Sequence, residues 1–193
     1  MAEKIQFSEI NIEKITEDDL FELSSFSCGN QTLDSFFQKE ALICDKCHMF
    51  SAYCAKYHNT IIAAFTLAND SLFLEIEDKE DIRQAIDNSK PHKLIYDNYF
   101  DVSNSFPAIN IGHLAVKSEY QSLGIGRFIL QLVRYYYLAY TVSGCLFITV
   151  DSLNNSRTNK FYDRNGFIFQ TSRDINADTR RMYFPINLYR EIS

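Results

Sequence analysis

Tryptophan is missing from this chain, and only three prolines and six glycines interrupt its 193 residues. So few breakers exclude a collagen-like or proline-rich disordered polymer, and they make each glycine a marker for a turn. Long apolar runs are missing too: no stretch approaches the roughly 20 residues that span a bilayer. The opening Met1-Ala2-Glu3-Lys4-Ile5-Gln6 has no basic segment leading into an apolar one. That argues against an export signal, and the expected location is the cytoplasm. There is no excess of positive charge, with 25 acidic and 19 basic side chains and a net charge of −6. Strong attraction of the whole surface to nucleic acid has no support in that balance. The five cysteines (Cys28, Cys44, Cys47, Cys54 and Cys145) are odd in number, and without an export signal they are expected as free thiols. Cys44-Asp45-Lys46-Cys47-His48 matches a haem-attachment spacing, but that chemistry needs export. The pair therefore reads as helix thiols, and no metal is expected.

What is present is apolar and aromatic. The hydrophobic fraction is 46%, with 16 Phe and 12 Tyr, enough for a core that needs no staples. No internal repeat or linker divides the chain, so a single domain over 1–193 is expected. The charge is unevenly spread: residues 1–105 carry 19 acidic and 9 basic groups, and residues 106–193 carry 6 and 10. The mildly basic second half suits an anionic ligand.

Residues 5–15 alternate loosely as a first strand. Thr16 before Glu17-Asp18-Asp19 is an N-cap with acids in the first turn. Asn30 or Thr32 caps a further helix running through Leu42. The runs 50–57 and 60–67 flank His58-Asn59 as a hairpin. Residues 75–105 are acidic and weakly patterned; a helix near 78–88 is expected there, within a mostly solvated face or loop. Residues 144–151 read as a buried strand, 154–166 as a short capped helix closed by Gly166, and 167–170 with 181–186 as a final strand pair.

One stretch organises the rest. Ala108 to Val116 is apolar and β-rich, and it reads as a buried strand. Lys117 to Arg127 is a polar turn containing Gly124-Ile125-Gly126, and a helical pattern follows from Phe128 to Leu138. Strand, glycine loop, helix is an order that aims backbone N–H groups and a helix dipole at one anion, such as a phosphate.

These residues resemble the GNAT superfamily of N-acetyltransferases. Gln121-Ser122-Leu123-Gly124-Ile125-Gly126 is similar to its Gln/Arg-x-x-Gly-x-Gly/Ala loop. His113-Leu114-Ala115-Val116 is similar to the end of its central strand. Asn155, Tyr162 and Gly166-Phe167 fit its C-terminal block. The resemblance covers roughly residues 50–186, with 75–105 outside it as an insertion. It implies an α+β fold: a mostly antiparallel sheet of about six to seven strands, flanked by helices and splayed where the cofactor enters. Upstream, Phe26-Ser27-Cys28-Gly29-Asn30 with Leu33-Asp34 is similar to the start of a branch of toxins that acetylate aminoacyl-tRNA and pair with a ribbon-helix-helix antitoxin.

The resemblance further implies direct acetyl transfer from acetyl-CoA to an amine. Residues 121–126 would hold the pyrophosphate, and Arg127 would add charge. Leu114, Ala115 and Val116 would hold the pantetheine arm, with an N–H nearby polarising the thioester carbonyl. Asn155 would touch the arm or cap its helix, and Tyr162 would protonate the departing thiolate. The acceptor is an aminoacyl-tRNA, a protein amine or a small amine. A CoA-binding or partner-binding module without catalysis, or a nucleotide-binding protein, are the alternatives, and a homodimer is allowed. His113 has the right chemistry for a base, but strand parity sets Ile111, His113 and Ala115 opposite Asn110, Gly112, Leu114 and Val116. A structural histidine is therefore expected, with water or an already neutral amine in place of a base. Asp34, Glu119 and Asp151 read as caps or solvated charges.

Overall fold

A computed structural model describes residues 5–85, 93–139 and 143–186. Among them are seven strands: β1 (Ile10–Lys14), β2 (Ser51–Tyr57), β3 (Thr60–Phe73), β4 (Ser105–Val116), β5 (Phe147–Leu153), β6 (Ile168–Phe169) and β7 (Thr179–Pro185). They form one sheet in the order β1-β2-β3-β4-β5-β7-β6. The pairs β1–β2, β2–β3, β5–β7 and β6–β7 are antiparallel. Seven α-helices accompany them: α1 (Leu20–Leu23), α2 (Gln31–Lys39), α3 (Ala41–Lys46), α4 (Ile76–Ala85), α5 (Lys93–Val102), α6 (Ile125–Ala139) and α7 (Ser156–Arg164). This is the expected α+β class. No helix among the described residues is long and apolar enough to cross a membrane.

The chain divides into two compact units. The first comprises Met1–Ala68 with Ile111–Leu132. Its core gathers Ile15, Leu23, Phe26, Phe37, Cys54, Ile61 and Ala115. The hairpin turn between β2 and β3 forms as expected: His58 and Asn59 both take positive φ, 47° and 64°, the turn whose twist matches paired strands. Asn30, not Thr32, caps α2, accepting from the N–H groups of Thr32 and Leu33. The helix expected through Leu42 is two, pinched at Glu40 between α2 and α3. The first strand is also shorter than its pattern. Phe7 to Glu9 form a single 3-10 turn, because Phe7 stacks on Phe128 at 5.3 Å instead of alternating in the sheet.

The second unit comprises Asn69–Asn110 with Val133–Ser193. Its core gathers Leu72, Leu74, Ile82, Phe100, Phe106, Phe147 and Tyr183. Ile82 of α4 and Phe100 of α5 belong to it, so 75–105 is not mainly a solvated loop. The reason is Lys79. Its buried ammonium donates to the carbonyls of Phe100 (2.9 Å) and Ser103 (3.1 Å) and to Asn104 Oδ1 (2.7 Å). A cation there satisfies carbonyls that the end of α5 leaves without helical partners.

In the first unit, Asp19 closes a capping box with Thr16 and takes the Lys56 ammonium at 2.7 Å. Burial works to raise the Asp19 carboxyl, but hydrogen bonds from Lys56 and Thr16 outweigh it and hold it below the usual range. Asp19→Ala is expected to cost about 2 kcal/mol in urea titrations at pH 7. A native pKa below the unfolded ~3.9 gives stability above that pH and loses it beneath. The wild-type advantage should therefore fade as pH falls through the native value.

Candidate functional site

In the first unit, the expected anion loop follows β4 directly. A 3-10 turn at Ser118–Tyr120 leads into Gln121–Gly124, and α6 begins at Ile125, three residues earlier than the apolar pattern places it. Gly126 and Arg127 thus lie in the first helical turn. The first helical hydrogen bond at this end is Phe128 N–H to Gly124 C=O at 2.9 Å. The N–H groups of Ile125, Gly126 and Arg127 precede it, where a helix provides no acceptor and its dipole is positive. Ser122 (φ +64°) and Gly124 (φ +87°) both turn through the left-handed region. Such a sequence of amides makes an anion-binding concavity. Leu123 sits exposed between them, while Ile125 is buried and anchors the helix start. A diphosphate fits this donor set: N–H groups face it, and the nearby Glu119 carboxylate is paired with Lys117 at 3.0 Å.

Gln121 also contributes through its side chain. Its side-chain Nε2 donates to the carbonyls of Val116 (2.9 Å) and Cys28 (2.7 Å), and its own N–H approaches Ser118 C=O at 3.3 Å. It builds the loop. The amides for a ligand come from the residues after it.

The strand before the loop is oriented as parity requires. The N–H groups of His113 and Lys117 point toward β3, reaching Thr66 Oγ1 (3.0 Å) and Ile62 C=O (2.9 Å). Leu114 and Val116 therefore turn their backbone groups away from β3. The Val116 carbonyl accepts from Gln121. Ala115 puts its side chain into the core. His113 stacks on Phe36 at 3.7 Å and sets Nδ1 3.0 Å from Thr66 Oγ1. Burial pushes its pKa down. Ring packing, not proton transfer, is its visible role.

In the second unit, Asn155 caps α7, accepting the Thr158 N–H at 2.9 Å. Tyr162 lies two turns along α7, buried between Phe161 (5.0 Å) and Phe167 (5.3 Å). Gly166 ends this element at φ +84°, where a Cβ would press on Phe184 at 3.0 Å. Burial, and then the charge of Asp151, push the Tyr162 phenol well above the ordinary tyrosine range. A phenol already holds its proton more tightly than a thiol, at about 10 against 8.5. Complete proton transfer to a thiolate runs against that gradient. The chemistry open to Tyr162 is a hydrogen bond from a neutral hydroxyl to sulfur as charge develops.

With this geometry in place, the Acetyltransferase (GNAT) domain family model matches residues 87–169, from before β4 through α6, β5 and α7 to β6. The matched stretch, under half of the chain, is a GNAT acetyltransferase domain match. The chain is an acyltransferase. The matched stretch takes in part of 75–105, which the sequence motifs had left outside. Among solved structures the acetyltransferase is similar to a tyrosine-to-phenylalanine mutant of the AtaT toxin, at 19% identity and TM-score 0.68 over 96% of this chain and 94% of that one. A tyrosine-to-phenylalanine mutant of KacT matches at 19% and 0.68, over 92% and 95%. AtaT complexed with acetyl-methionyl-tRNAfMet matches at 21% and 0.65, over 91% and 94%. At these identities the likeness is one of fold. A sequence search of curated proteins finds no match.

The motifs gave no sign of a polar cluster on the acetyltransferase's second unit. Arg181 pairs with Asp151 at 2.8 Å and with Asp70, which also accepts from Thr149. The signal was the cross-strand register of Asp151 and Arg181 on β5 and β7, invisible before those strands were aligned. The late basic residues divide accordingly. Arg173, Arg180 and Arg181 pair with acids. Arg157, Lys160 and Arg164 are exposed on α7 at helical spacing. In the loop, Gly124→Ala is expected to cost about 1–2 kcal/mol, from its positive φ and a Cβ 3.3 Å from Phe7 Cζ. Thermal melts check this, and in them Gly144→Ala, with open space around it, should be nearly neutral.

Proposed function

We propose that this acetyltransferase moves the acetyl group of acetyl-CoA to an amine, and that the amine is the α-amino group of an aminoacyl-tRNA. The likeness to AtaT, solved with acetyl-methionyl-tRNAfMet across 91% of this chain, carries the reading. The related AtaT complex with acetyl-CoA and the C-terminus of its antitoxin AtaR supports the cofactor and a peptide partner of antitoxin type. The exposed Arg157, Lys160 and Arg164 supply a local basic stripe on an acidic protein, suited to phosphate contacts that position without reading sequence.

In this reading the N–H groups from Ser122 to Arg127 hold the CoA pyrophosphate. Leu114 and Val116 pair with the pantetheine arm, and an N–H at the strand end polarises the thioester carbonyl. Asn155 sets the start of α7 and offers its amide to the arm. Tyr162 supplies a hydrogen bond to the leaving sulfur. Acetyl-CoA brings the activated acyl group. The amine arrives neutral or loses its proton to water, which fits a strand whose only imidazole, His113, is stacked and half-buried.

Expression in bacteria should arrest growth, and Tyr162→Phe should relieve the arrest. In purified form the same change should lower transfer from labelled acetyl-CoA to aminoacyl-tRNA by about a hundredfold. Transfer to free amines or protein termini but not to aminoacyl-tRNA would overturn the acceptor while leaving the acetyltransferase in place. Reversing charge at Arg157, Lys160 and Arg164 should weaken the tRNA reaction and leave the KM for acetyl-CoA unchanged.

A further inference from the structure

We propose that Asp34 is a positioning residue for the anion loop, acting through the Ser27–Cys28 turn and the side-chain amide of Gln121. The inference rests on that loop holding the CoA pyrophosphate. Both oxygens of the Asp34 carboxylate are committed to the turn: Oδ1 accepts the Cys28 N–H at 2.7 Å and Oδ2 accepts the Ser27 hydroxyl at 2.8 Å. The turn then presents two consecutive carbonyls to the loop. Ser27 C=O accepts the Ser118 N–H (2.9 Å) and Ser118 hydroxyl (3.1 Å). Cys28 C=O accepts Gln121 Nε2 at 2.7 Å. The contact spans 93 positions of sequence.

The direction of causation follows from the strain. Ser122, next to Gln121, sits at φ +64°, a conformation a non-glycine residue keeps only when its surroundings impose it. The surroundings include the two carbonyls that accept from the Gln121 side chain. One, Val116 C=O, belongs to the strand and is fixed. The other, Cys28 C=O, is fixed only by what holds the turn, and a carboxylate accepting from a backbone amide is the strongest such tie. Without it Cys28 loses the tie on its N–H, the following Cys28–Gly29 peptide can swing its carbonyl away from Gln121, and Ser122 relaxes out of the shape that aims its neighbours at an anion. This gives Phe26-Ser27-Cys28-Gly29-Asn30 with Asp34 a place in cofactor binding beyond the start of a helix.

Calorimetric titration of the full chain with CoA tests this, on wild type, Asp34→Asn, Asp34→Ala, Gln121→Ala and the Asp34→Ala/Gln121→Ala double variant, each held below its melting temperature. Asp34→Ala and Gln121→Ala are each expected to raise the dissociation constant about tenfold. Asp34→Asn, which keeps one acceptor oxygen, should raise it roughly threefold. The double variant should bind no more weakly than the worse single one, because both act through the same bonds. Unchanged affinity in either Asp34 variant would overturn the inference, and so would additive losses in the double variant. If Asp34→Ala does not fold, Asp34→Asn with Gln121→Ala completes the same cycle. A wild type with no affinity for CoA would instead overturn the reading of the loop itself, and the inference with it.

Discussion

The amide of Gln121 joins three pieces of chain that sequence keeps apart: the end of β4, the turn before α2 and the loop before α6. A buried or half-buried carbonyl without a partner costs about 1–3 kcal/mol, so one side chain with two donors satisfies two such groups together. The geometry of the loop depends on that economy. With Gln121 held, Ser122 and Gly124 turn through positive φ, and α6 starts where its first N–H groups emerge on the loop's concave side. Phe7 covers the outer surface of the same loop, stacked on Phe128.

The chemistry is spare by comparison. Helix-start amides suit a diphosphate, strand amides suit a peptide-like arm, and a buried neutral phenol suits a sulfur gaining charge. None of these groups needs to ionise during transfer. Burial keeps the phenol protonated and the imidazole of His113 neutral. A site of this kind works by preorganised dipoles, whose effect grows where water is excluded. It leaves the deprotonation of the amine to solvent or to the amine's own equilibrium.

Much of this was legible in the sequence because local rules and global fold agree. Asn155 and Gly166 mark both ends of α7 by capping chemistry, and His58-Asn59 marks a hairpin by its tolerance of positive φ. His113 was placed by parity alone. What stayed hidden depends on contacts between distant residues. Asp34 resembles an ordinary first-turn acid until Ser27 and Cys28 are seen to fold back on it. Lys79 sits in an acidic stretch with no clear apolar face, and only the end of α5 explains its burial. Residues 75–105 therefore read as solvated, although Ile82 and Phe100 are core. Gln121 was assigned to the ligand through the loop amides of 121–126; that its side chain ties the carbonyls of Val116 and Cys28 together shows only in the fold.

The central claim is that the amides from Ser122 to Arg127 receive the pyrophosphate of CoA. An amide-resolved NMR titration of the whole chain with CoA tests it most directly. The account predicts saturable shifts that are largest at residues 122–127, with smaller ones at Leu114 and Val116. Saturation with those signals unmoved, or shifts confined to the basic face of α7, would contradict it.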